Sequence, residues 1–294
     1  MILCPISIRI EKFQGTFLFS KETQIREISK DELNNLFNVE DISFDEEDYI
    51  KDFSCYRGRK DIWKLVPKSL EAMIFEEDLI PPKYVIESCD DEEIRKLILA
   101  IHIISRGNFL CPIGINLSED RTGKSTLYFY EPFNYRLDIS CLLDGNDLTN
   151  IKNLFMKLLK KCTLSDDPVL QRFLRCCDID QHLTVRIIDT VGLIESIICN
   201  DLTTEISFRF SLYSSFLLNK LGVQVSFSQM KKFYDLRSSL AHSGKVGRKQ
   251  QIDSEKLDEI LNYTKIIMRE YLDKEIDRNY IEDQLFSQLC IPRS

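Results

Sequence analysis

Apolar and polar positions alternate with a period of two near the start of the chain, most cleanly in Ile6-Ser7-Ile8-Arg9-Ile10. Such alternation turns one face to a core and the other to water, as a half-buried strand does. Thr16-Phe17-Leu18-Phe19 follows Gly15 with the same character. The paired prolines of Leu79-Ile80-Pro81-Pro82 break the chain, and Tyr84-Val85-Ile86 reads as a strand after them. Leu110 to Leu117 and Leu127 to Tyr130 are expected as two strands joined by a polar turn. Between these strands, Ser29-Lys30-Asp31-Glu32 has the form of a capping box opening a short helix through Phe37, and Asp90 or Asp91 caps a helix reaching Ile104. Glu40 to Asp48 is an acidic, loop-like run. Residues 1–145 are therefore expected to form an α+β domain.

After Asn146 the period changes to that of helices. Asp147 to Lys161, Pro168 to Cys177, and a stripe of Val185, Ile188, Val191, Ile194 and Ile198 mark three of them. Thr203 to Asn219 marks a fourth, Ser226 or Ser228 opens a fifth, and Ser254 to Leu272 and Ile276 to Leu289 close the chain. Short spacers between amphipathic helices predict an all-α, up-and-down antiparallel bundle over residues 146–294.

Composition narrows the function classes. The chain has 294 residues, 44% of them apolar, enough for two domains with real cores. With 39 Lys and Arg against 47 Asp and Glu, its net charge is −8, so it is no general nucleic-acid coat and any RNA contact must be local. One segment reverses the balance: Lys231, Lys232, Arg237, Lys245, Arg248 and Lys249 oppose Asp235 alone, a local charge of +5. The ten cysteines include no C-x-x-C pair, and the three histidines are scattered, so no zinc spacing appears. They read as reduced, mostly buried thiols of a cytoplasmic protein. No signal peptide is evident, and the longest apolar stretch, Leu97 to Ile104, is far too short to span a bilayer.

The +5 segment contains the most informative phrase, Tyr234-x-x-Arg237-Ser238-x-x-Ala241-His242-x-Gly244. Histidine exchanges protons near neutrality, and the planar fork of arginine suits a phosphate. Together they are a minimal kit for cleaving RNA, whose own 2′-OH supplies the nucleophile. On an unbroken helix five residues turn through about 140°, so the helix is expected to loosen near Ala241, with Gly244 as its C-terminal glycine. The plain reading is a helix end with a capping histidine and a surface arginine.

The phrase resembles the Arg-x4-His signature of the HEPN superfamily, many of whose members are metal-independent ribonucleases acting as toxins or antiviral effectors. Glu195 in Leu-Ile-Glu-Ser-Ile and the phrase Thr204-Glu205-Ile206-Ser207-Phe208-Arg209-Phe210 are similar to the prokaryotic abortive-infection subgroup. The likeness covers roughly residues 165–275, and it departs at Ser243, where many relatives place Gly directly after His. It implies an HEPN-like bundle and an endoribonuclease with His242 as general acid/base and Arg237 stabilising the phosphorane charge, without metal or cofactor. Ser238 and Tyr234 would support them, with Glu195 and Arg209 behind as a candidate pair, and Lys245, Arg248 and Lys249 would bind the RNA backbone. A homodimer through the helical domain, and an antitoxin or trigger protein, are the implied partners. The first domain is then expected to regulate access or sense the trigger. A non-catalytic HEPN module that only grips nucleotide, RNA or a partner is the alternative.

A P-loop GTPase is the weaker alternative. Ser118 to Thr126 imitates a phosphate loop, Asp189-Thr190-Val191-Gly192 a D-x-x-G and Asn219-Lys220 a truncated N-K-x-D. Ser118 replaces the first glycine, a strand is expected after Ser125 where the phosphate needs a helix N-terminus, and Asp189 falls inside a helix. His102, amid isoleucines and leucines, reads as a core or interface residue, and His182 as a helix start.

Overall fold

Strand β1 spans Ile2–Ile6 and starts four residues before the clean alternation, which itself yields only the two-residue β2, Arg9–Ile10. The fold is taken from a computed structural model, which describes residues 1–6, 8–11, 13, 15–29, 32, 53–57, 63–67, 83–105, 111, 113–116, 126–129, 141–161, 164–177, 182–200, 204–243, 254–274 and 276–288. Further strands are β3 (Thr16–Leu18), β4 (Gln24–Glu27), β5 (Phe53–Arg57), β6 (Trp63–Pro67), β7 (Tyr84–Ser88), β8 (Ile113–Asn116), β9 (Thr126–Phe129) and β10 (Leu142–Leu143). Six form one antiparallel sheet in the order β3-β4-β7-β1-β8-β9, with Cys4 opposite Ile86 and Ile25 opposite Ile86 on its other side. Neighbouring residues of the two central strands, Leu3 and Cys4 or Val85 and Ile86, are all buried. A strand covered on both faces carries a continuous apolar run instead of an alternating one, which is why β1 escapes the period-two signal.

Helix α1 (Asp91–Ile104) is capped by the Asp90 carboxylate, which accepts the Glu92 amide at 2.8 Å. It is buried at Ile94 and at every position from Lys96 to Ile103, His102 included, because it packs against β7 and against α2 (Gly145–Lys160). The short helix expected from Ser29 is seen only at its start, where Ser29 Oγ accepts the Glu32 amide. Its remainder, the acidic run and the P-loop-like turn lie outside the described residues. The chain divides into Met1–Lys160 and Lys161–Ser294, one helix later than residue 145, since α2 packs on α1.

The second unit is helical: α3 (Pro168–Cys177), α4 (Leu183–Ile198), α5 (Ile206–Lys220), α6 (Phe227–Ser243), α7 (Ser254–Lys274) and α8 (Arg278–Gln288), after a 3₁₀ turn at Leu164–Asp166. Helix α4 touches each of the other five and buries residues all round, from Ile187 to Ile198. Its first marker, Val185, is nonetheless 44% exposed. His182 caps α4, its Nδ1 accepting the Thr184 amide.

Gly222, at φ 84, ends α5. The amide of Val223 returns to the Leu218 carbonyl at 2.9 Å, a turn that only a residue tolerating positive φ closes cheaply. Asn219 Nδ2 then donates to the Ser215 and Val225 carbonyls, and Ser226 Oγ accepts the Gln229 amide to start α6. The α5–α6 hairpin so fixed carries most of the candidate site. Among the described residues no helix is long and apolar enough to cross a membrane.

Candidate functional site on the α4–α5–α6 face

Helix α6 runs unbroken from Phe227 to Ser243 and does not loosen at Ala241. The intrahelical ladder continues past Leu240, a core residue at 3% exposure, so packing carries the helix through the expected break. Arg237 and His242 therefore diverge by about 140° and lie about 7.5 Å apart along the axis. Met230, Phe233, Leu236 and Leu240 form the buried stripe, and His242 is exposed in the last turn.

Arg237 is held from two directions. Its Nη1 lies 3.5 Å from Glu195 Oε2 on α4, and its guanidinium carbon sits 5.9 Å from the centroid of the Tyr234 ring one turn earlier. The Tyr234 ring in turn tilts against Phe210 of α5 at 5.3 Å. At 3.5 Å the ion pair is longer than a charge-assisted hydrogen bond of about 2.8 Å, and Glu195 Oε2 and Arg237 Nε are both buried without a hydrogen bond among the described residues. Side-chain exposures of 25% and 21% leave both groups reachable from solvent. Burial and the Glu195 charge push the Tyr234 phenol up against the pull of Arg237, so it stays a neutral donor. Ser238 is half-buried beside Arg237.

Arg209 does not pair with Glu195 as the sequence led us to expect. Its partners are Glu205 at 3.8 Å, one turn earlier, and Glu282 of α8 at 3.6 Å, while its Nη1 donates to Tyr213 Oη at 3.4 Å. Tyr213 donates to Glu282 Oε1 at 2.7 Å, and Arg278 Nε lies 3.6 Å from that same oxygen. Tyr213, Arg278 and Glu282 were not picked out from the sequence. The i,i+4 pairs Arg209/Tyr213 and Arg278/Glu282 were legible, but their meeting across 69 residues of chain was not. Glu205 opens α5 in the left-handed conformation at φ 55, which shifts the helix start three residues beyond Thr203.

Phe233 and Tyr234 both make ring contacts within the bundle, Phe233 edge-on to Tyr263 at 6.4 Å and Tyr234 tilted against Phe210. The GTPase-like residues have structural partners: Asp189, inside α4, pairs with Arg172 and Arg175 of α3, and β9 follows Ser125 where a P-loop needs a helix. Gly192 lets Arg172 lie against α4 and donate to its carbonyl, since a Cβ there would meet Arg172 Nη2 at 2.5 Å. Lys245, Arg248 and Lys249 lie outside the described residues. Among the described residues no group of three or more His, Cys, Asp or Glu is placed to hold a metal ion.

The thiols give a pH expectation. Burial pushes Cys176 and Cys199 from 9.0 to about 12. An acid whose folded pKa is raised contributes stability that is complete below its unfolded pKa and is lost as pH rises toward the folded one. The resistance of the chain to urea should thus hold near neutrality and fall as pH climbs from 9.0 toward about 12. Urea midpoints by circular dichroism check this. The fall should be smaller in Cys176→Ala/Cys199→Ala, and an equal fall in that variant would contradict the assignment.

Comparison of the chain with protein-family models, with curated proteins and with solved structures gives no match.

Proposed function

We propose that the helical unit is an HEPN-type endoribonuclease, cleaving RNA through the 2′-OH without a metal, in the manner of toxins and phage-defence effectors. The observation that carries the proposal is the pairing on α6 of a partly exposed, pre-positioned guanidinium at Arg237 with a solvent-facing imidazole at His242. Arg237 binds the scissile phosphate and offsets the charge that develops on it, and Glu195 and Tyr234 hold the fork in place. His242 takes the 2′-OH proton or returns one to the leaving 5′ oxygen.

The 140° divergence bears on assembly. One straight helix does not aim both groups at one phosphate, whereas a two-fold axis beside α6 brings Arg237 of one protomer to His242 of its partner. Mixing Arg237→Ala with His242→Ala tests this. Each variant alone should be inactive. Random exchange leaves half the dimers mixed, each with one intact composite site of two, so the mixture should recover about a quarter of wild-type activity. Recovery of none would place both groups in one protomer and remove the composite site.

A further inference from the structure

Arg209, Arg237 and Arg278 stand on three helices, and the Nε of each is buried without a hydrogen bond among the described residues. Among the described residues, Glu195 and Glu282 face them as shielded carboxylates, whereas Glu205 is 69% exposed. Helix α4, which carries Glu195, touches α5, α6 and α8, the three helices that carry these arginines. Glu282 Oε1 is shared by Tyr213, Arg209 and Arg278, and both arginines sit 3.6 Å from it, beyond good hydrogen-bond length. A second oxyanion near them would give these donors the short, charge-assisted contacts that one carboxylate oxygen cannot supply to both. Both arginines keep about a third of their side chains in solvent, 33% and 29%, so a ligand can reach them.

A neighbouring feature indicates which oxyanion. Phe208, about 100° around α5 from Arg209, is 55% exposed and tilts against Phe227 at 5.5 Å. An open aromatic ring and a cation carried on one helix are the means that sequence-tolerant binders of single strands use, the ring for bases and the cation for phosphates.

We propose that Arg209 and Arg278 form a second phosphate site, gripping the backbone of the same single-stranded RNA whose scissile phosphate lies at Arg237. The identity of the ligand rests on the ribonuclease reading, but the site itself does not. Glu282 and Tyr213 position the two guanidinium groups, and Arg237 takes the reacting phosphate.

The test is equilibrium binding of the full chain to an all-2′-deoxy oligonucleotide, which has no 2′-OH and cannot be cleaved by this route. Affinity is measured against salt. Losing one phosphate contact should lower the slope of log K against log salt by about 0.7, the value for a single strand. Arg209→Gln/Arg278→Gln is expected to show that smaller slope and about ten-fold weaker binding at low salt. Arg209→Lys/Arg278→Lys should keep most of the slope. If the glutamine pair does not fold, Arg278→Gln alone serves, because its described partner is only Glu282 one turn away. A folded glutamine variant with the wild-type slope overturns the site. If the slope falls as expected while the wild type never cleaves RNA, the ribonuclease reading fails and the phosphate site stands.

Discussion

Replacing His242 with alanine is expected to lower RNA cleavage by about 10²–10⁴-fold, the usual contribution of a positioned general acid or base. The fold should be unchanged, because the side chain is exposed in the last turn of α6 and contributes nothing to the buried stripe. Arg237→Ala should lose comparable activity. Arg237→Lys should recover little, since an ammonium cannot keep the planar contact over Tyr234 while facing Glu195 and a phosphate. Glu195→Gln separates placement from charge. It removes the counter-charge and keeps the shape, so RNA binding should hold or tighten while cleavage falls as Arg237 loses its fixed position. Melting curves beside the rates distinguish lost chemistry from lost fold. His242→Ala cleaving at the wild-type rate would remove His242 from the mechanism.

Phe210→Ala should be among the most damaging single changes in the helical unit. The ring is fully buried, joins α5 to α6, and supports the face on which Tyr234 and Arg237 stack. Truncating such a side chain removes its transfer free energy and leaves a cavity, together about 3–5 kcal/mol. Natural domains have stabilities of about 5–15 kcal/mol, so much of the margin would go. Urea unfolding followed by far-ultraviolet circular dichroism reads the change, since the helices dominate that signal. Cleavage should fall further than the folded fraction does, because α6 loses the support that sets Arg237. A loss below about 1 kcal/mol would mean that the site collapses around the cavity without cost.

Helices were legible in the helical unit where an amphipathic stripe met a capping residue, although α5 starts three residues beyond Thr203. Pro168 to Cys177 matches α3 residue for residue, and Ser226 and Ser254 mark the starts of α6 and α7. Strands were legible at hairpins, as in the β8–β9 pair, and at β7 after the paired prolines, whereas the start of β1 carries no period-two signal because its neighbouring residues are buried alike. The candidate site was legible as residue types on one helix. Its partners were not, because Glu195 meets Arg237 across 42 positions of sequence and nothing in either local pattern selects that pairing over Glu195 with Arg209. The expected break at Ala241 failed for a related reason. It was inferred from what the chemistry needs, whereas helix length follows packing, and Leu240 is anchored in the core.

On the proposed mechanism, Arg237 and His242 cleave RNA by attack of its own 2′-OH. Incubating the purified chain with RNA in the presence of EDTA, and analysing the ends of the fragments, tests it most directly. The fragments should carry 2′,3′-cyclic phosphate and 5′-hydroxyl ends and form at the same rate with or without chelator. Intact RNA, or fragments with 5′-phosphate and 3′-hydroxyl ends, would contradict it.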